Sequence, residues 1–200
     1  FCNCKYTNDV EITFDAGVTS IKGNLFYGVA AGTVKITSSI NTIEKGAFEN
    51  ANLRTIDFTD TTSSITINEG AFYRATFNKN IELEFPDTVT SLPQEAFYGA
   101  TAWKISFGKS FNSLEELAFQ SSTITEIDFA QTTKQLDLGQ NAFYSAEISK
   151  LILPSSVTYT DFYSPFSSST IKTLDITNLN SFPSNSNIYM FKDATITEIV

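Results

Sequence analysis

The side chains that carry most enzyme chemistry are scarce in this chain. Cys2 and Cys4 are the two cysteines among 200 residues, and histidine is absent. A CxC pair needs further ligands before it can hold a metal ion, and Ser–His and Cys–His catalysis both need histidine. We interpret the pair as a local cap, as a partner for upstream sequence, or as unbonded cysteines.

Carboxylates are the remaining candidates for catalysis. A pair such as Asp57 and Glu84 could in principle hydrolyse a glycoside. Both residues lie in strand-like segments, however, and a flat sheet offers no enclosing pocket to shift their pKa values. The sequence also has no glycine-rich phosphate loop, no HExxH motif and no calcium-loop pattern. We therefore predict that the chain is not an enzyme and has no cofactor and no metal site.

The overall charge excludes two classes of partner. The formal net charge is −9 and the sequence pI is about 4.4, so the surface repels nucleic acid and anionic lipid headgroups. No apolar run approaches the roughly 20 residues of a membrane span, which predicts no direct membrane insertion of this segment. The first residues, "FCNCKYTNDV", lack an initial Met, and we predict that 1–10 form an N-terminal segment or cap.

A repeated skeleton dominates the rest of the chain. Each copy contains an anchor phenylalanine, usually preceded by Ala and followed three residues later by a small side chain. The anchors recur at intervals of 22 to 25 residues: Phe26, Phe48, Phe72, Phe97, Phe119, Phe143, Phe166 and Phe191. Such a period is typical of solenoid proteins.

Each anchor is followed by a strand signal. Apolar residues occupy the positions eight and ten residues after the anchor, as Ile105 and Phe107 do. In the third copy the same pair occurs after a three-residue insertion. The anchor and the small residue, three apart, predict one face of a short helical turn. One unit cannot bury its own apolar row, so the copies should stack and share a core that includes all eight anchors.

These motifs resemble a known family. The "AF" turn together with "LEFPDTV" (83–89) and "LILPSSV" (151–157) resembles the BspA-like leucine-rich repeats of bacterial and protozoan surface proteins. The resemblance implies a right-handed solenoid of β and short-helix repeats with one parallel sheet on its concave face. It covers about eight repeats over 11–200, and the final "ATITEIV" predicts an array truncated at its C-terminal end. Pro165 and the polar link "NLNSFPSNSNIY" depart from the pattern and predict irregularity near 155–190.

The strand residues that point away from the core are the candidate binding face. They form a polar row of mixed sign, for which the alternative is a solvated surface that keeps the array soluble. Tyrosines directly after four anchors are candidate contacts on one flank, although each could simply cover the neighbouring turn. Trp103 is predicted to pack at the entrance of a strand. The candidate face residues are Asp57, Glu84, Lys104, Glu126, Asp128, Lys150 and Asp175, and the flank residues are Tyr27, Tyr73, Tyr98 and Tyr144.

The family resemblance also implies a location and a role. We expect an extracellular or cell-surface adhesion module that recognises a protein or glycan ligand through the open sheet face. One alternative is a passive spacer in a larger surface protein. Another is a non-catalytic repeat module attached to a secreted enzyme.

Overall fold

The computed structural model describes residues 4–5, 10–159, 164–181 and 189–200. Seventeen strands follow one another in these ranges, and no helix occurs among the described residues. The strands are β1 (Glu11–Ile12), β2 (Ser20–Ile21), β3 (Ala30–Lys35), β4 (Thr42–Ile43), β5 (Asn52–Asp57), β6 (Thr66–Ile67), β7 (Thr76–Phe77), β8 (Glu82–Phe85), β9 (Ser91–Leu92), β10 (Thr101–Phe107), β11 (Ser113–Leu114), β12 (Thr123–Asp128), β13 (Leu136–Leu138), β14 (Glu147–Ile152), β15 (Val157–Tyr159), β16 (Thr170–Asp175) and β17 (Thr195–Ile199).

All strand pairs are parallel, which confirms the predicted parallel solenoid. The main sheet has 10 strands in the order β1-β3-β5-β7-β10-β12-β14-β16-β17, with β8 also paired to β10. Two smaller parallel sheets, β2-β4-β6 and β9-β11-β13-β15, are formed by the links between successive main strands. Equivalent repeat positions pair in register: Ile105 lies opposite Leu83 on one side and Ile127 on the other.

The anchor phenylalanines form one continuous stack through the core. Seven have no exposed surface and Phe191, in the last turn, is half-buried. The ring centroids of neighbouring anchors lie 4.7 to 5.5 Å apart, and each pair is stacked. Offset stacking at this distance is favourable beyond the burial of apolar area. The repeat period therefore specifies a ladder of aromatic rings that joins each turn to the next.

A second aromatic row lies under the main sheet. Phe58, Phe85, Phe107 and Phe129 are buried and follow one another with ring-centroid distances of 5.4, 5.5 and 4.5 Å. These are the second members of the alternating pairs, ten residues after an anchor or, in the third copy, after the insertion. Phe85 also packs edge-on against the anchor Phe97 at 6.0 Å, so the two rows share one core.

The predicted short helical turn is wrong. Every anchor segment is an irregular turn, and its backbone includes hydrogen bonds to the neighbouring turn of the solenoid instead of the bonds of a helix. The amide of each anchor from Phe26 to Phe166 donates to the carbonyl of the residue that precedes the next anchor, at 2.6 to 3.2 Å. Other amides in the turn bond three residues back, as from Ala51 to Phe48 at 3.0 Å. An α-helix would need those amides for bonds four residues back, so the sideways ladder excludes it.

Left-handed residues on both sides of the anchor explain why the helix does not form. The residue two positions after every anchor, and in six copies the residue two positions before it, has φ between 52° and 65°. A single such residue ends a right-handed helix. Glycine and asparagine occupy many of these positions, including Gly46, Asn50 and Gly70, because they tolerate this conformation best.

The N-terminal residues join the array at one point. Lys5 forms an isolated parallel bridge with Ala30, whose amide donates to the Cys4 carbonyl at 3.0 Å. Cys4 is exposed and free, whereas Cys2 lies outside the described residues. Parts of the segment that we expected to be irregular, 160–163 and 182–188, also lie outside the described residues.

Candidate binding face

The candidate face is the outer surface of the main sheet, where two columns of side chains run across the strands. Parallel pairing places Glu82, Lys104, Glu126 and Lys150 side by side in the first column. The second column, two residues further along each strand, includes Glu84, Ser106 and Asp128. The structure therefore brings the predicted face residues together as two adjoining rows.

Lys104 lies at the centre of a four-residue ionic cluster. Its Nζ is 3.4 Å from Glu82, 3.1 Å from Glu126 and 3.3 Å from Asp128. Burial alone would lower the pKa of Lys104, but hydrogen bonds to Glu126 and Asp128 and the charge of Glu82 raise it well above its ordinary value. Three carboxylates around one ammonium leave the cluster with a net negative charge.

Two further ion pairs neutralise other parts of the face. Lys150 Nζ lies 3.3 Å from Asp175, and Lys35 Nζ lies 3.0 Å from Asp60. The pKa of Lys35 is raised, chiefly by its hydrogen bond to Asp60 and by the charge of that carboxylate. Pairs as exposed as these contribute little stability, but they occupy charges that a ligand would otherwise meet.

The predicted aspartates have a local structural role as well. At the end of their strands, Asp57 and Asp128 each accept a hydrogen bond at Oδ1 from the amide two residues later, at 2.8 Å. Asp175 accepts from both the amide and the hydroxyl of Thr177, at 3.1 and 2.7 Å. The hydroxyl bond is the largest cause of the lowered pKa of Asp175, followed by the amide bond and Lys150. These side chains close turns after the strands, which is a common use of aspartate.

The main sheet has a seam between β5 and β8. Strand β5 pairs with β7 at Asn52 and Leu53, and β8 pairs with β10, but β5 and β8 are not paired with each other. After β3, β12, β14 and β16 the first amide bonds to the next turn of the solenoid, as from Phe129 to Ile152 at 3.1 Å, whereas the Phe58 amide after β5 makes no such bond. The three-residue insertion lies at this point, between β7 and β8, and β8 keeps its regular register with β10.

A groove of about 340 Å³ opens along this seam. Its lining includes Asp57 on one side, Glu82 and Glu84 on the other, and Pro86 and Phe58 at one end. The hydroxyl of Thr55 crosses the seam and donates to the Glu82 carbonyl at 3.2 Å. Asp57 and Glu84 form no ion pair with any described residue, in contrast to Glu82, Glu126 and Asp128.

A second groove, of about 380 Å³, adjoins the first. It shares Glu82 and Glu84 with the seam and extends past Lys104 and Ser106 to Asp128. The repeat position of Glu82, in the same column as Lys104, predicts its place on this face, and the structure places it there. The contribution of Pro86 had no comparable signal in the sequence.

The flank tyrosines are not brought together as one patch. Tyr73 and Tyr98 stack with a centroid distance of 4.8 Å, and the Arg74 guanidinium lies 5.3 Å from the centre of the Tyr73 ring. Tyr27 and Tyr144 stack on no aromatic ring among the described residues, because the neighbouring copies carry Glu49 and Gln120 at that position. Only a two-ring patch is therefore available on this flank within the described part of the chain.

Trp103 lies inside a strand, which corrects our placement of it before one. It is half-buried on the outer surface of β10, between the buried Ala102 and the cluster residue Lys104. Among residues 4–5, 10–159, 164–181 and 189–200, no group of three or more acidic or cysteine side chains is arranged to hold a metal ion. No helix long and apolar enough to cross a membrane occurs in the same ranges.

The fold and its turn motif define a solenoid repeat protein with an open, polar sheet face. A family model described as a BspA type leucine rich repeat region matches residues 1–84 and 66–197, in 6 copies. The chain belongs to this family, whose members are often surface-associated repeat modules. Neither a curated protein nor a solved structure matches the chain.

Proposed function

We propose that this chain is the recognition module of an extracellular surface protein and that it binds a protein or glycan ligand through the outer face of the main sheet. The observation that carries the proposal is the pair of adjoining grooves, which share Glu82 and Glu84. They give an otherwise flat sheet a contoured polar surface. Family membership supports a non-catalytic role, because its repeat arrays are generally scaffolds.

A passive spacer is the second candidate, and one observation favours it. Most charges of the face are satisfied within the chain, by the Lys104 cluster and by the Lys150–Asp175 and Lys35–Asp60 pairs. A face whose charges neutralise one another presents fewer groups to a ligand. The spacer proposal requires that adhesion of the whole surface protein be independent of this face.

An arrayed set of extracellular matrix proteins and glycans tests the binding proposal. The informative variant is Ser106→Arg, since Ser106 lines the second groove and Lys35 shows that the same column accepts a long basic side chain. The matched control is Ser121→Arg on the turn surface. Ser121 is exposed and has a left-handed backbone conformation, and Arg74 at the equivalent position shows that an arginine is accepted there.

We expect Ser106→Arg to weaken binding to any ligand found by at least tenfold, whereas Ser121→Arg should bind like the parent chain. Equal binding by both variants would contradict recognition through this face. If the parent chain binds nothing on the array, and the longer surface protein still adheres with Ser106→Arg in place, the spacer role is favoured instead.

A further inference from the structure

The seam between β5 and β8 combines three features that coincide nowhere else among the described main strands. The strand pairing stops there, a groove opens, and two carboxylates that form no ion pair with any described residue line it from opposite sides. Lys35, the strand neighbour of Asp57, is paired with Asp60 instead. Asp57 uses Oδ1 for the Thr59 amide, which leaves Oδ2 available to a ligand. Glu84 is exposed and has no side-chain partner within the described residues.

The groove combines carboxylates with apolar surface, which favours a cation that has an apolar stem. Pro86 and Phe58 line it together with the carboxylates of Asp57, Glu82 and Glu84. A long basic side chain can lay its methylene groups against the apolar part while its charged end meets the carboxylates. A bare divalent ion fits less well, because the described acidic residues form no metal-ligating group.

Arginine fits this geometry better than lysine. Its planar guanidinium carries five N–H donors and can bond to carboxylates on two sides at once, whereas an ammonium is a point charge. The acceptors here stand on two separate strands, Asp57 at the end of β5 and Glu84 within β8. Glu82 is already shared with Lys104 at 3.4 Å, so it contributes less to a new cation than the other two.

We infer that the seam is a binding site for an arginine side chain presented by a partner protein. This inference rests on the proposed function, because it names the chemistry of one part of the same face. The partner segment would place a single arginine in the groove while the rest of the segment crosses the outer surface of the sheet.

A peptide titration followed by ¹⁵N–¹H correlation spectra tests the site on the whole chain. The probe is a capped Gly-Gly-Arg-Gly-Gly peptide, and its matched control carries citrulline, which keeps the shape but lacks the charge. We expect shifts at the amides of 57–59 and 84–85, and at least tenfold weaker binding of the citrulline peptide. A lysine peptide should also bind more weakly than the arginine peptide.

The seam variant is Asp57→Asn with Glu84→Gln. Asparagine retains the Oδ1 acceptor for Thr59, so the turn should persist and the urea midpoint should stay near that of the parent chain. The control variant, Asp137→Asn with Glu147→Gln, removes two negative charges from exposed positions away from the seam. We expect at least tenfold weaker arginine-peptide binding by the first variant and less than a twofold change for the second.

Three results would overturn the inference: equal binding of the arginine and citrulline peptides, equal binding of the arginine and lysine peptides, or unchanged binding by the seam variant. The array experiment separates this failure from failure of the proposed function. A chain that binds an array ligand but not the arginine peptide retains its recognition role and loses the seam assignment. A chain that binds the peptide at the seam but no array ligand retains the seam assignment and loses the proposed recognition role.

Discussion

Replacing Phe97 with alanine tests how the solenoid is held together. Phe97 is completely buried in the middle of the array. Its ring stacks on Phe72 at 4.7 Å and on Phe119 at 5.2 Å, and the edge of Phe85 lies 6.0 Å away. The Phe97→Ala change removes the ring and interrupts the stack at its centre.

The surroundings of Phe97 place the expected loss of stability near the top of the usual range for such a change. Phenylalanine-to-alanine changes in cores cost about 3–5 kcal/mol, and more where the cavity cannot collapse. Both stacked neighbours are held by backbone bonds to adjacent turns, so they cannot move far into the space. We expect Phe97→Ala to lower the free energy of unfolding by about 4–5 kcal/mol. The terminal anchor Phe191 is half-buried and, among the described residues, stacks on Phe166 alone, so its replacement should cost about 1–2 kcal/mol.

Urea unfolding followed by circular dichroism measures both values. Trp103, the single tryptophan, provides a second signal because it lies in the strand that follows Phe97. If Phe97→Ala does not fold, Phe97→Leu retains part of the volume and should cost about 1–2 kcal/mol. Tyr98→Ala, at the adjacent residue, is the matched control, because Tyr98 is half-exposed and stacks on Tyr73 alone among the described residues.

Similar losses for Phe97→Ala and Phe191→Ala would refute this reasoning, since burial and stacking on both sides distinguish the two positions. So would a loss below about 1.5 kcal/mol for Phe97→Ala, which is less than the transfer of one buried large side chain provides.

Three further predictions concern the turns and the charges. Gly70 has φ of 59° and room for a methyl group, so Gly70→Ala should cost about 1–2 kcal/mol in urea unfolding through backbone strain alone. Gly70→Asn should cost clearly less, and equal costs would contradict a left-handed requirement. Lys104→Met leaves three carboxylates without their cation and should destabilise the chain by about 1–3 kcal/mol at pH 7. An unchanged free energy of unfolding in this variant would argue against the cluster. Because the pKa of Asp175 is lower in the folded chain, the stability that this carboxylate contributes is present above its unfolded pKa and is lost as the pH falls through its folded pKa. Asp175→Ala should therefore flatten the acid limb of a curve of stability against pH. An unchanged limb would contradict the assignment.

The core was predictable because its signal recurs. A large aromatic residue at one repeat position must face the same environment in every copy, and eight copies make that position obvious. The alternation of Ile105 and Phe107 similarly specifies a strand with one buried face. Both features depend on side-chain type at a fixed period, which a sequence displays directly.

The turn was mispredicted because a three-residue spacing is ambiguous. The anchor and the small residue after it could share a face of a helix or of a tight turn, and their types do not distinguish the two. The distinguishing signal lies at the flanking positions, where Asn24, Gly46 and Gly70 precede anchors by two residues. Glycine and asparagine there indicate left-handed backbone, whereas Glu95 and Leu117, in the same conformation, conceal the pattern.

The candidate site was predictable as a surface but not as a set of contacts. Repeat alignment places Lys104 beside Glu126, yet it does not reveal that one ammonium is shared by three carboxylates. The insertion before β8 is visible in the sequence, but it does not reveal that β8 keeps its register with β10 while it loses its pairing with β5. The seam groove therefore emerges only from the three-dimensional arrangement.

Amide hydrogen exchange tests the sideways backbone ladder most directly. The Phe97 amide donates to the Ala118 carbonyl at 2.7 Å, and the Phe72 and Phe119 amides bond to their next turns at 2.9 and 2.6 Å. We predict that these three amides exchange as slowly as those in the centres of β10 and β12. Exchange at the rate of exposed loop amides would contradict the account, because the turns would then not be bonded to one another.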